Sequence, residues 1–300
     1  MNREIRETLD NNNFIVKKIT IKGNVKIIDN GKMKIVIKRK GKKNLEDLFK
    51  YLSSRSFNNY PKIIFSSKNY NYFEYVTDGG EPNPQKLTDL IITASLLHQK
   101  TTFYKNIDSD EYKYLYEYIL NQSNYLENYY MDLLSLIEKK EFMSPSSYLF
   151  ARNSSLIFKI LNFCRYNIQK WYNIINEKRR VRIVQLHNNL SLEHFIKDKN
   201  AYLISWNNSK RDLPIYDLII LFNRYYYDFD FLDLLKIYEK NYPLLEEEKI
   251  LLLILISLPD KLLLSDDEYT KCLKVKKFYD KLNASMILIN DYTKKIKISN

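Results

Sequence analysis

Apolar residues alternate with lysines in three short runs near the start of the chain: FIVKKITI at 14–21, VKIID at 25–29 and KMKIVIK at 32–38. Period-two alternation predicts half-buried strands, and Asn30-Gly31 between the second and third runs predicts a tight hairpin. A helix is expected over 45–53, with Asn44 as its N-cap and Glu46 in its first turn, where a carboxylate favours the helix dipole. Runs at 62–65 and 70–76 read as two more strands, giving a sheet of about five. Pro82 and Pro84 then restrict the backbone and mark a boundary.

From Leu87 onward the apolar spacing is helical. Helices are expected from Leu87 to an end in 96–101, over 109–138 and over 145–176, the last with Ser144 as cap and Pro145 at the first helical position. Apolar runs at 182–186 and 201–206 flank a loop, and a Pro-led helix starts at about Tyr216. A strand followed by a loop, a hairpin and a helix is a scaffold that can hold loop residues in place. Further helices are expected over 229–238, 244–258 and 266–282, and the basic tail at 294–300 is expected to fray.

Composition adds a few exclusions. The chain has 300 residues, enough for a sizeable core and two lobes, and its apolar content argues against disorder. The opening residues are polar and charged, unlike a signal peptide. The longest apolar run, 250–258, is about half of what a membrane span needs, so no span is expected and a cytoplasmic protein is the simplest reading. Cys164 and Cys272 stand singly in helical patterns and are read as reduced core residues. A net charge of +12 is compatible with nucleic acid, an acidic membrane surface or a solvated face. Basic residues are scattered apart from 32–43, 178–182 and 294–297, which favours the solvated reading and makes nucleic acid an unlikely partner. The many tyrosines of the long helices read as amphipathic core filling, since no basic residues interleave with them regularly.

The segment 183–217 carries the most specific pattern: Leu-His-Asn-Asn at 186–189, Ile-Ser-Trp-Asn at 204–207 and Pro-Ile-Tyr-Asp at 214–217. It resembles the H-x-D-x-x-x-x-N, I-D-W-E and P-x-x-D-L motifs of the aminoglycoside and choline kinase-like phosphotransferases. Other segments extend the resemblance. Val36-Ile37-Lys38 resembles the family's lysine strand, and 73–80 resembles the connection between its lobes. Leu96–Thr101 resembles the end of its first C-lobe helix, with His98 as a packing or capping residue. The 244–269 region, anchored by Glu248 and Pro259, resembles the spore-coat branch.

The resemblance implies an α+β, bilobal protein-kinase-like fold: a small antiparallel-sheet N-lobe over 1–78 and a mainly helical C-lobe over 79–300. It places His187 on the family's histidine, Asn189 on its catalytic aspartate, and His194 and Ser205 on its metal-binding positions. Asp217 falls on the structural aspartate. Lys38, with Glu46 as its possible pairing partner, and the backbone near Glu74 and Val76 fall on nucleotide-facing positions. Lys22-Gly23-Asn24 stands where a phosphate-covering glycine-rich loop would lie, and one glycine specifies only a turn.

Phosphoryl transfer needs a carboxylate to orient the acceptor hydroxyl and a dication held by hard oxygens. Asn189 is an amide, His194 offers nitrogen and Ser205 a neutral hydroxyl. The expectation is therefore a kinase-like protein without kinase chemistry, acting as a binding or scaffold module. Its cofactor is unassigned, ATP being compatible without productive Mg²⁺. The partner would be a protein, as in a spore-coat or other cell-surface assembly, or a ligand in the cleft. The alternative is an active small-molecule phosphotransferase in which Glu193, Asp198 or Asp212 supplies the displaced acid.

Overall fold

The computed structural model describes residues 2–298, with side chains described to Lys294. In chain order the elements are α1 (Arg3–Asn11), β1 (Lys18–Lys22), β2 (Val25–Asp29), β3 (Lys34–Arg39), α2 (Leu45–Ser54), β4 (Ile63–Ser66), β5 (Tyr70–Glu74), α3 (Asn83–Thr101) and β6 (Phe103–Asn106). There follow α4 (Ser109–Glu138), α5 (Pro145–Glu177), β7 (Arg180–Leu186), β8 (Phe195–Lys197), β9 (Ala201–Leu203), β10 (Lys210–Asp212), α6 (Ile215–Tyr225), α7 (Phe231–Asn241), α8 (Glu246–Ser257) and α9 (Glu268–Ile298). The chain divides into two compact units, one of residues up to Thr101 plus Gln185–Arg211, the other of Thr102–Val184 plus the residues from Asp212.

The first unit is built on a five-stranded sheet of order β1-β2-β3-β5-β4. The expected hairpin is present: Asn30 accepts from the amides of Lys32 and Met33 through its Oδ1, and Gly31 adopts φ +86°, which a residue with Cβ rarely tolerates. Asn44 caps α2 as expected, its side chain accepting from Glu46 N and Asp47 N. Helix α1 is absent from the sequence reading. Capped by Asn2, it places Ile5 and Leu9 one turn apart against Phe14, Ile28, Ile35, Ile37 and Tyr72 in a buried hydrophobic cluster.

Segment Gln185–Arg211 joins this unit through an aromatic cluster. Trp206 is almost wholly buried and meets Phe49, Phe57, Tyr60 and His187 edge-on, with ring centroids 4.8–6.5 Å apart. Gly79 donates its amide to Lys197 O at 2.7 Å, and a Cβ at Gly79 would lie 3.0 Å from that same oxygen. Only glycine fits so close an approach without displacing the backbone.

The second unit is helical, with α5 packed against α4, α8 and α9. α3 ends at Thr101, and β6, which the sequence reading lacks, pairs with β7, with Phe103 opposite Ile183. α9 runs well past the expected end, to Ile298; of the tail expected to fray, Asn300 and the residue before it lie outside the described residues. Cys164 is buried, but Cys272 is half-buried rather than in the core, and both are free thiols.

The start of α8 is fixed electrostatically. Arg182 donates through Nε to Glu248 Oε1 at 2.9 Å and through a second nitrogen to the other oxygen, while its guanidinium lies 4.1 Å from the Tyr242 ring centroid. Glu248 also accepts from Leu245 N at 2.9 Å, closing the first turn. Lys170 and Lys178 pair with Glu246 and Glu247, so each carboxylate at this helix start has a cation. No helix among the described residues is long and apolar enough to cross a membrane.

Candidate functional site

The first unit encloses a cavity of about 490 Å³, within the range of small-molecule sites. Its walls are mostly apolar, with Val25, Ile27 and Val36 from the sheet, Phe49 from α2, Phe73 from β5, and Ile204 with Trp206 from the later segment. Its polar lining includes Lys38, Asn71, Ser205 and Asn207, together with the charged Lys22, Arg39, Glu74, Asp78, Lys86 and Glu193.

Strand register explains part of this lining. Lys38 on β3 stands opposite Asn71 on β5, so both side chains leave the same face of the sheet. Lys38 donates its ammonium to Ser205 Oγ at 3.3 Å. Burial holds the Lys38 pKa below the ordinary lysine value, because desolvation disfavours its charged form. Ser205 reaches this position from a left-handed backbone, φ 68° and ψ 50°, at the entry to the short turn Trp206–Asn208. Asn71 is 4 % exposed, and its Oδ1 is buried with no hydrogen-bond partner among the described residues.

The residues singled out in the sequence separate into groups. Lys38, Glu74, Val76 and Ser205 line the cavity, as does exposed Glu193. Glu74 is tied to its neighbour strand, its carboxylate and its amide both bonding the main chain of Lys62 at 3.0 Å. Glu46 does not line the cavity and does not pair with Lys38; its carboxylate accepts from Ser66 Oγ at 2.6 Å.

His187, Asn189 and His194 form a self-contained loop beside the cavity. His187 is fully buried, with Nε2 2.9 Å from Ile204 O and its ring edge-on to Trp206. His194 Nδ1 lies 3.0 Å from Asn189 O and 3.1 Å from Ser191 Oγ, so this ring braces the loop backbone. Asp198 accepts from Thr77 Oγ1 at 3.4 Å. Asp212 and Asp217 belong to the second unit, where Asp217 is fully buried in the first turn of α6 and Asp212 accepts from Leu213 N.

These surroundings test the fit of a divalent ion. The Ser205 hydroxyl already receives an ammonium, so a dication at Ser205 would face a cation within a few ångströms. No group of three His, Cys, Asp or Glu among the described residues is placed to hold a metal. The matched positions do not fit Mg²⁺, which wants several hard oxygens.

Sequence reasoning missed Asn71 and the neighbouring Gln185–Ser209 pair. Gln185 Nε2 donates to Ser209 Oγ at 2.6 Å, and that hydroxyl donates onward to Leu186 O at 2.6 Å, fixing the strand that leads into the His187 loop. The signal for Asn71 was available only once Lys38 had been placed opposite it.

No protein-family model matches this chain, and no curated protein matches it. Solved structures do. An aminoglycoside phosphotransferase from Alicyclobacillus acidocaldarius superposes with a TM-score of 0.62 at 9 % identity, covering 94 % of this chain and 93 % of that one. A choline kinase from Streptococcus pneumoniae gives a TM-score of 0.49 at 16 % identity, with 95 % and 96 % covered. At such identities the likeness is one of fold, and the fold of this chain is the α+β protein-kinase-like fold of the aminoglycoside phosphotransferase.

Proposed function

We propose that this chain is a kinase-like binding protein whose cavity takes a planar, anionic ligand of the nucleotide class without transferring phosphate. The observation that carries this reading is at Ser205: a neutral hydroxyl that accepts from Lys38 stands where the resemblance puts a metal-binding aspartate. Apolar walls from Val25, Ile27, Val36 and Phe73 suit a heteroaromatic ring. Lys38 would meet the ligand's negative charge, and Asn71 Oδ1 would accept from a donor on the ring or sugar. No step is routed through magnesium, because the donor set does not suit it.

Within this reading Asn189, an amide whose main-chain oxygen is braced by His194, holds the loop and does not act as a base. His187 and Asp217 serve as packing and loop-fixing residues. A role as a scaffold for a protein partner, of the spore-coat kind, rests on the resemblance around Glu248 and Pro259. The second reading, an active transferase, is favoured by one observation: Glu193 is exposed and lines the same cavity.

The test is transfer from γ-labelled ATP, with Mg²⁺ or Mn²⁺, to a panel of amino alcohols and aminoglycosides. The binding reading expects label transfer no greater than that of Lys38→Met. Turnover that Glu193→Gln abolishes would establish the second reading instead.

A further inference from the structure

The chain's positive charge is not spread over the fold. Residues 14–43 hold eleven lysines and arginines and a single acid, Asp29, a net of +10 out of the chain's +12. These residues form β1–β3 and the turn into α2; Lys38 faces the cavity and Lys43 donates to Ser209 O, and the other basic residues lie along the three strands at the β1 side of the sheet and in the turn that follows. Asp29 offsets little of it, lying 3.9 Å from Lys34.

Strand β1 is the edge of that sheet, and its outer residues are not only basic. Ile19 and Ile21, two apart and therefore on one face, are 43 % and 66 % exposed, and Ile15 just before the strand is 76 % exposed. Lys17, just before the strand, is two residues from Ile19, while Lys18 and Lys22 leave the opposite face of the edge strand, Lys22 at the rim of the cavity; all three are exposed. Lysines alone on an edge strand would be read as protection against aggregation. Exposed isoleucines beside them work against that purpose, since they present the apolar side chains that protection should hide.

We propose that the β1–β2 edge docks on an anionic lipid bilayer, with Ile15, Ile19 and Ile21 entering the headgroup boundary and the surrounding lysines facing lipid phosphates. Charge attraction and shallow apolar insertion are the two contributions that together hold a peripheral protein on a membrane. The same charge could attract nucleic acid, but single-stranded nucleic acid is held by stacking on exposed aromatics. Phe14 is the sole aromatic among residues 14–43, and it is buried at 7 %. Ten of the eleven basic residues are lysines, flexible point charges suited to a diffuse anionic surface and less so to bidentate base contacts.

Vesicle co-sedimentation of the full chain tests this, with phosphatidylcholine vesicles compared with vesicles containing about a third phosphatidylglycerol. Binding is expected only to the anionic vesicles and is expected to be lost when salt is raised from about 0.1 M to about 0.5 M. Lys17→Gln/Lys18→Gln/Lys26→Gln should weaken partitioning about a hundredfold, at about fivefold per lysine. Ile19→Ser/Ile21→Ser keeps every charge and should also weaken it, whereas Lys139→Gln/Lys140→Gln, in the second unit, should not. Equal binding to both vesicle types would overturn the proposal. So would anionic binding that ignores the isoleucine change, or displacement from anionic vesicles by a single-stranded oligonucleotide that binds more tightly. The salt arm uses the unaltered protein and decides the matter even if a variant folds poorly.

Discussion

The Lys38 ammonium donates to Ser205 Oγ across 3.3 Å, between the third strand of the sheet and a loop more than a hundred residues later in the chain. The pair joins a half-buried positive charge to a neutral acceptor, an arrangement that leaves most of the charge uncompensated. An anionic ligand in the adjoining cavity would complete it.

The pH dependence follows from this pair. Burial lowers the Lys38 pKa, so between that value and the ordinary lysine value the unfolded chain binds more protons than the native one. Stability from this group therefore rises with pH across that window. Anion binding runs the other way: it is full below the native pKa of Lys38 and lost as pH rises through it. Titrations of ATP against pH should show this loss in the native protein at a lower pH than an ordinary lysine would give. Lys38→Arg, which stays charged, should flatten the profile; an unchanged profile would remove Lys38 from the ligand site.

Asn71 makes an opposite demand on stability and binding. Its Oδ1 is buried without a partner, which costs about 1–3 kcal/mol in a ligand-free protein. Asn71→Leu should leave thermal stability equal or higher while weakening nucleotide binding. A destabilised variant with intact binding would show that Asn71 serves packing alone.

The Arg182–Glu248 pair is expected to matter most for the helical unit. Both side chains are nearly buried, at 10 % and 3 % exposed, and Glu248 also closes the first turn of α8. Glu248→Gln should destabilise by about 3–5 kcal/mol, because a buried guanidinium is left without its anion. Chemical denaturation measures it, and a loss below about 1 kcal/mol would place the pair among those of negligible net worth.

Helix α1 is a stability element and not a loose end. Ile5 and Leu9 are fully buried, so Leu9→Ala should cost about 2–5 kcal/mol. Denaturant unfolding that shows no change would mean that the helix is not docked in solution.

Local signals were legible in the sequence wherever one stretch of chain decides its own conformation. Asn30-Gly31 and the Asn44 cap are of this kind, since side chain and backbone lie within three residues of each other. α1 escaped because only Ile5 and Leu9 among nine residues are apolar, and a charged surface helix looks like solvated chain until its two anchors find a core. The strand at Phe103 escaped because it depends on β7, some eighty residues away. In the site, Lys38 and Ser205 were each marked by resemblance, but their contact was not; Glu46 stands in the first turn of α2 as expected and accepts from Ser66, so the alternative pairing with Lys38 is not formed. Side-chain pairing depends on strand register and loop closure, which alternation alone does not fix.

Placing aspartate and asparagine where the resembling motifs have them separates alignment from chemistry. Asn189→Asp, His194→Asn and Ser205→Asp together should give the protein affinity for Mn²⁺, detectable by electron spin resonance, before any turnover appears. An aspartate at Ser205 is compatible with the left-handed backbone there and would meet Lys38 as an ion pair. No gain in Mn²⁺ affinity would mean that these positions do not converge as a metal site.

The most direct test of the central claim is thermal unfolding with ATP in excess EDTA and again in excess Mg²⁺. A ligand bound only by the native state raises the midpoint by mass action. Equal upward shifts in both conditions are predicted, since the ligand's charge is met by Lys38 and not by a metal. A shift that appears or grows only with Mg²⁺ would contradict the account, as would no shift in either condition.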